Sequence, residues 1–298
     1  MNTSKLAPIC LFAYNRFEET KQTVVALKNN FLASQTDLYI FSDGWKDWSS
    51  KHEVLKVRAF LKEIKGFKSV TIKESIVNRG LANSIIHGVT EIISLESKVI
   101  VVEDDLVSSP NFLNFMNEAL DFYENNQSIF SISGYSMHLP SLKSYKNDYY
   151  LGVRASSWGW ATWRRSWTDI DWEIKDYSNF LKSNRKRKEF NVGGSDMTKM
   201  LANQMNHKID SWAIRWCYNQ FKRKQYTVFP RISKLISIGF GANATHTKST
   251  KRFDTILDKG EQTNFNFSKD VHLEKKLTRE FQYKFSILAR LKDKLFFK

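Results

Sequence analysis

Val99-Ile100-Val101-Val102 runs directly into Glu103-Asp104-Asp105, and this junction constrains the chain more than any other stretch. An apolar β-branched run is a buried strand. Three adjacent carboxylates at its end cannot stay in the core unpaired, because desolvating a lone charge is costly. They must meet solvent, a cation, or both. A strand that delivers crowded acids to a sheet edge suits a hard divalent ion held by oxygen ligands. An acidic, solvated strand end is the alternative.

Around this junction the first half alternates strands with helices. Strands are expected over residues 8–14, 37–42, 69–77 and 98–102, and helices over 17–29, 53–64, 81–95 and 111–123. In the third helix Leu81, Ile85, Val89 and Ile92 recur on one face. Pro110 stands near the start of the fourth. The rhythm predicts an α/β fold with a mostly parallel sheet covered on both faces.

Ligands of open α/β sheets bind outside the carboxyl ends of the strands. Here the four strands end in Asn15-Arg16, Asp43-Gly44, Asn78-Arg79-Gly80 and Glu103-Asp104-Asp105. The arginines suit phosphates through their planar fork of donors. Asp43 suits a ribose hydroxyl or a base imide, and the acids suit a cation that bridges phosphates. Taken singly, each is a surface charge, a turn or a cap. The chain has no glycine-rich dinucleotide fingerprint and no P-loop.

The sequence has 298 residues, 42% of them hydrophobic, enough for a sizeable core. Forty-six Lys and Arg against 31 Asp and Glu leave a formal charge of +15. This balance suits polyanionic partners without choosing among nucleic acid, acidic lipid and phosphorylated substrates. Cys10 and Cys217 sit in apolar surroundings and read as buried thiols in a reducing compartment. Neither a signal-peptide core nor a bilayer-spanning run is seen, so a cytoplasmic location is expected.

Five segments in order carry a family resemblance: Ala13-Tyr14-Asn15-Arg16, Ser42-Asp43-Gly44, Asn78-Arg79-Gly80-Leu81-Ala82, Val101-Val102-Glu103-Asp104-Asp105-Leu106, and Ser157-Trp158-Gly159-Trp160-Ala161-Thr162-Trp163. Over residues 8–246 the chain resembles GT-A glycosyltransferases, in particular bacterial family 2 sugar transferases related to N-acetylglucosaminyltransferase I. The resemblance implies a Rossmann-like GT-A sheet and transfer of a sugar from a nucleotide diphosphosugar, UDP by preference. It also implies Mn²⁺ or Mg²⁺ as cofactor and inversion at the anomeric carbon. The acid triplet stands in for the DxD motif. Asp105 becomes the metal ligand, and Glu103 and Asp104 face the ribose and donor sugar. Asp43 faces the nucleoside, Arg79 the diphosphate or donor sugar, and Asn15 and Arg16 complete the donor set. Three segments follow: a nucleotide-sugar half, 1–140; an acceptor half, 141–250, with the base and a lid loop; and a basic amphipathic segment, 251–298.

The second half is aromatic and basic. Trp158, Trp160, Trp163, Trp167 and Trp172 are mostly expected in a packed core. The turn Trp158-Gly159-Trp160 is placed near the donor sugar by the resemblance, with Gly159 letting a ligand approach the backbone. Arg185-Lys186-Arg187-Lys188 reads as a solvated face. Asp210 precedes a helix and reads as a cap. The resemblance makes it the catalytic base, although Ser211 stands where eukaryotic relatives carry a second acid. His246, on a glycine-bearing polar loop with Asn243, is implied as a metal or diphosphate ligand. Between Glu274 and Lys298 the residues Phe281, Phe285, Leu288, Leu291, Leu295 and Phe296 interleave with lysines and arginines. Such a basic amphipathic helix either lies on a membrane surface or docks on the domain. The expected acceptor is a bacterial surface glycan or glycolipid. The competing readings are a metal-dependent nucleotidyltransferase, disfavoured by the missing glycine-rich loop, and a nucleic-acid-binding module, disfavoured by the acid cluster.

Overall fold

Five short apolar runs, each flanked by turn residues and helices, order the centre of the molecule. A computed structural model describes residues 5–239 and 252–296; Asn243 and His246 lie outside the described residues. The strands are β1 (Ile9–Ala13), β2 (Asp37–Ser42), β3 (Ser69–Glu74), β4 (Lys98–Glu103), β5 (Leu106–Ser108), β6 (Ile129–Ser133), β7 (Tyr149–Gly152), β8 (Trp160–Trp163), β9 (Tyr226–Pro230) and β10 (Leu235–Ser237). Eight of them form one sheet in the order β3-β2-β1-β4-β8-β6-β9-β7, and β5 pairs with β10 in a separate two-stranded ribbon. The first four strands are mutually parallel. β8 runs against both β4 and β6. The fold is therefore α/β with a mixed sheet flanked by helices, as the alternating pattern predicts.

The chain moves outward from β1 to β2 to β3 and then returns to place β4 on the other side of β1. This reversal makes the junction between the ends of β1 and β4 a topological switch point, the place where open α/β sheets take their ligands. Because β8 is antiparallel to β4, with Val101 opposite Trp160, the start of β8 lies at the same edge. The end of β6 joins it through Ser133 opposite Trp160.

Both faces are covered. On one, β1 and β4 residues Ile9, Leu11, Ile100 and Val102 pack with helices Phe17–Lys28 and Phe112–Phe122 and with Leu277, Phe281 and Phe285 near the C-terminus. On the other, Cys10, Phe12, Val99 and Val101 pack with helices Leu81–Leu95 and Trp212–Arg223 and with the tryptophan cluster. Both cysteines are free and buried.

Two expected elements differ. The second helix spans Trp48–Leu61, earlier than the apolar pattern indicates, because Asp47 and Ser50 form a reciprocal capping box ahead of it. The C-terminal amphipathic run is two helices, Lys275–Lys284 and Ile287–Phe296, not one. Leu277, Phe281 and Phe285 are buried in the core, so the first helix docks on the domain. Among the described residues, no helix is long and apolar enough to cross a membrane.

Candidate active site at the sheet edge

The acid triplet sits at the switch point. Glu103 still pairs with Phe12 as the last residue of β4, while Asp104 and Asp105 form the turn into β5. Thr23, fully buried in the first helix, fixes that turn: its hydroxyl donates to the Asp104 carbonyl (2.9 Å) and accepts from the Leu106 N–H (3.1 Å). Arg16, at the end of β1, donates to both aspartates, Nη2 to Asp104 Oδ1 (2.8 Å) and Nη1 to Asp105 Oδ2 (3.1 Å). The Tyr14 N–H donates to Asp104 Oδ2 at 3.1 Å. Asn15 lies half-buried beside them.

Crowding governs the charge state. Burial, then Asp105 and Asp104, push Glu103 up to about 8. Burial also raises Asp104 to about 6, against the opposing pull of Arg16. Burial alone would weaken the Arg16 cation, but the two aspartates hold its pKa above the ordinary value. Burial and mutual repulsion thus disfavour the charged forms of Glu103 and Asp104, a cost that a further cation would relieve.

Among the described residues, no group of three or more His, Cys, Asp and Glu forms a ready-made metal cage. The donor set nonetheless fits an ion shared with a ligand. Asp104 is engaged by Arg16 and Tyr14, whereas Asp105 has one oxygen on Arg16 and a side chain 17% exposed. A single carboxylate joined by phosphate oxygens and water is the usual coordination for Mg²⁺-type ions.

The chain returns to this spot after β10. The Ile238 N–H donates to the Asp105 carbonyl (2.9 Å). A Cβ added at Gly239 would lie 1.9 Å from Asp105 Oδ2 and 3.0 Å from Arg16 Nη1. A side chain there would displace the Asp105 carboxylate. The sequence pattern offered only a glycine-bearing loop, with no sign of what it touches.

Next to the switch point, Asp43 at the end of β2 is buried and occupied. Its carboxylate accepts from the N–H groups of Gly44 (2.9 Å), Arg79 (2.9 Å) and Gly80 (3.0 Å). Gly80 is the N-cap position of helix Leu81–Leu95 and has no side-chain cap of its own, so Asp43 caps that helix from a neighbouring strand. This arrangement holds Arg79 exposed, its Nε on the Ser75 hydroxyl at 3.2 Å. Beneath lies Arg58, which sequence reasoning missed. It donates to the Ser42 hydroxyl (3.2 Å) and to the Asp43 (3.2 Å) and Ser75 (2.7 Å) carbonyls, and pairs with Glu74 (3.3 Å). Its position in a helix with several other cations gave no distinguishing signal. Asp43, Ser75, Arg79 and His87 line a small pocket of about 70 Å³.

Two expectations for the Trp158-Gly159-Trp160 turn are corrected. Trp160 is fully buried, its ring stacked 5.0 Å from Trp212 and 5.6 Å from Trp167, so it belongs to the core and cannot face a sugar. Gly159 has φ +50°, and the space where its side chain would go is filled by Leu235 Cδ2 at 1.9 Å. Its glycine serves packing, not ligand approach. Trp158 remains half-buried, edge-on to Tyr135 at 4.6 Å. With Tyr135, Arg154, Phe253, Phe281 and Phe285 it lines a cleft of about 270 Å³. Arg154 is held across that cleft by a bidentate pair with Asp196 (2.9 and 3.2 Å).

Asp210 does not cap its helix. Ser211 is the N-cap, accepting from the Ile214 N–H at 3.3 Å, and Asp210 lies just before it. The Asp210 side chain is 60% exposed and pairs with Arg215 at 3.3 Å. Two residues on, Trp212 stacks on Trp160 of the sheet. The structure thus brings together Asn15, Arg16, Glu103, Asp104 and Asp105, sets Asp43 and Arg79 beside them, and leaves Trp160 in the core.

No protein-family model and no curated protein matches the chain. Among solved structures it is similar to mannosyltransferase PcManGT from Pyrobaculum calidifontis in complex with GDP-Man and Mn²⁺, with TM-score 0.38 and 11% identity over 53% of this chain and 44% of that one. It is similar to TarS of S. aureus, with TM-score 0.38 and 9% identity over 75% and 35%. A third is glucosyl-3-phosphoglycerate synthase from Mycobacterium tuberculosis in complex with Mn²⁺, UDP and glucosyl-3-phosphoglycerate, with TM-score 0.32 and 10% identity over 54% and 58%. The chain therefore matches between 35% and 58% of the length of these proteins.

Proposed function

We propose that the chain is an inverting, metal-dependent glycosyltransferase that moves a sugar from a nucleotide diphosphosugar, UDP by preference, to a bacterial surface-glycan or glycolipid acceptor. The observation that carries this reading is the cluster of Arg16, Asp104 and Asp105 at the β1/β4 switch point, touched by Gly239. Release of a diphosphate beside a cation calls for both signs of charge there. In this reading Asp105 would hold Mn²⁺ or Mg²⁺ beside the diphosphate; His246, the second metal residue the resemblance implies, lies outside the described residues. The ion supplies Lewis-acid neutralisation of the leaving group when bound.

The protein's own groups do the remaining work. Arg16, anchored by Asp104, and exposed Arg79 place fixed positive charge where the diphosphate gains negative charge. Asp43 shapes the loop that presents Arg79, and the small pocket around both takes the nucleoside. Trp158 and the aromatic cleft receive the acceptor. The acceptor oxygen attacks the anomeric carbon from the face opposite the diphosphate. Its proton passes to the Asp210 carboxylate, while the bond to the diphosphate breaks and its electron pair leaves with the phosphate oxygen. A base of this kind contributes roughly 10²- to 10⁴-fold.

Thermal unfolding with UDP, GDP and CDP, each with and without Mn²⁺, tests the reading. Metal-dependent stabilisation by one nucleoside diphosphate, lost in Asp105→Ala, is expected. No such stabilisation by any of the three, or transfer activity that survives both Asp105→Ala and Asp210→Ala, overturns it.

A further inference from the structure

Helix Ile287–Phe296 turns an apolar stripe outward. Ile287, Leu288, Leu291 and Leu295 are 64%, 65%, 51% and 76% exposed. At about 3.6 residues per turn these positions fall within one arc of the helix surface. Its inner side is fixed: Ala289 is buried, and Asp293 pairs with Arg252 at 3.4 Å. A surface helix of a soluble protein normally shows the reverse arrangement. Tyr283, near the end of the preceding helix, is 47% exposed.

A basic element adjoins it. Helix Asn184–Phe190 exposes Arg185, Lys186 and Lys188, with Glu189 paired to Arg185 at 2.9 Å as its local acid. The turn that follows, Asn191–Gly193, packs against helix Lys275–Lys284: the Asn191 carbonyl accepts from Gln282 Nε2 at 3.4 Å. A little further on, the Ser195 hydroxyl donates to the Phe285 carbonyl at 2.7 Å, just before the striped helix begins. The basic helix and the apolar stripe are thus carried on elements hydrogen-bonded side by side. Exposed Lys292 lies at the border of the stripe.

We infer that these two elements form one docking face that seats the protein on an anionic lipid bilayer. The stripe enters the boundary between headgroups and acyl chains, and the basic helix lies over the headgroups. Charge complementarity selects this partner: the whole chain carries +15, and exposed Arg185, Lys186 and Lys188 adjoin a helix that turns four apolar side chains to solvent along one face. The inference deepens the proposed function by placing the acceptor on a lipid surface, yet it rests on the surface alone, so its failure leaves the nucleotide-binding test untouched.

The full-length protein is sedimented with vesicles of phosphatidylcholine alone, or with one-third phosphatidylglycerol, at low and high salt. Expected is salt-sensitive binding to the anionic vesicles and little to the neutral ones. Binding should weaken about tenfold or more in Arg185→Glu/Lys186→Glu/Lys188→Glu and in Leu288→Ser/Leu291→Ser/Leu295→Ser. All six side chains are surface ones, and unchanged melting temperatures establish that both variants fold. Absence of binding to anionic vesicles overturns the inference, as does equal binding by the variants. So does a stripe variant that shifts the protein from dimer to monomer while vesicle binding persists, because a second copy would then be the occupant.

Discussion

Asp105 meets two neighbours that a strand-end carboxylate does not need for folding, the Arg16 guanidinium and the backbone of Gly239. Gly239→Ala drives a methyl into Asp105, and overpacking of this kind costs about 1–3 kcal/mol. A lower melting temperature is expected, together with loss of the stabilisation by UDP with Mn²⁺ that the proposed function predicts for the native chain; stabilisation that is unchanged in the variant would show that Gly239 merely passes by. Glu103 supplies a second residue-scale prediction. Its ordinary pKa of 4.5 rises to about 8 on folding, so the folded chain holds more protons than the unfolded one between these values. Stability of the cation-free protein therefore falls as pH rises through that window. Asp104, raised from 3.8 to about 6, adds to the lower part of the fall. Melting temperatures measured from about pH 5 to 8 should decline, and Glu103→Gln should flatten the curve. The triplet itself was legible because three acids cannot end a buried strand unnoticed. Trp160 was misread for a physical reason: a tryptophan beside a turn looks alike in sequence whether its ring points to a ligand or, as here, to the rings of Trp167, Trp212 and Trp216.

At the scale of elements, strands β1 to β4 and the helices between them follow from apolar runs and periodicity, since local pattern decides them. What joins the elements is less visible. Asp43 stands far in sequence from the helix it caps, and no spacing announces that Gly80 lacks a cap of its own. Asp43→Ala is expected to lower stability by about 1–2 kcal/mol, the cost of a lost N-cap. It should also weaken nucleotide binding, because the Arg79 backbone loses its anchor. Isothermal titration with UDP and Mn²⁺ separates the effects: Asp43→Asn, which keeps a carbonyl oxygen for the loop, should recover part of both. The C-terminal run illustrates the opposite difficulty. Without glycine or proline between Glu274 and Lys298, the pattern reads as one helix. Tertiary contacts break it near Phe285, whose ring joins the core and whose carbonyl is taken by Ser195.

For the molecule as a whole, the segment after residue 252 is part of the fold. Lys234, 3% exposed at the side chain, pairs with Asp258 at 2.6 Å, and its Nζ lies 4.5 Å from the Phe265 ring centre. Asp258 also accepts from Asn111 Nδ2 (3.2 Å) and the Gly260 N–H (2.6 Å). The clasp is reinforced by the Asp258 N–H on the Ser233 carbonyl at 2.8 Å. It therefore ties three things together: the ribbon next to the acid triplet, the helix at Asn111, and the segment that supplies Phe281 and Phe285 to the aromatic cleft. Asp258→Ala strands a buried ammonium, a loss of about 3–5 kcal/mol. Lys234→Met should cost less, since Asp258 retains Asn111 and Gly260. If both variants unfold at the native temperature and are cleaved after residue 252 no faster than the native protein, this ion pair does not hold the segment in place. If Asp258→Ala opens it to protease and lowers acceptor use together with stability, donor crevice and acceptor cleft are held in register by one buried ion pair.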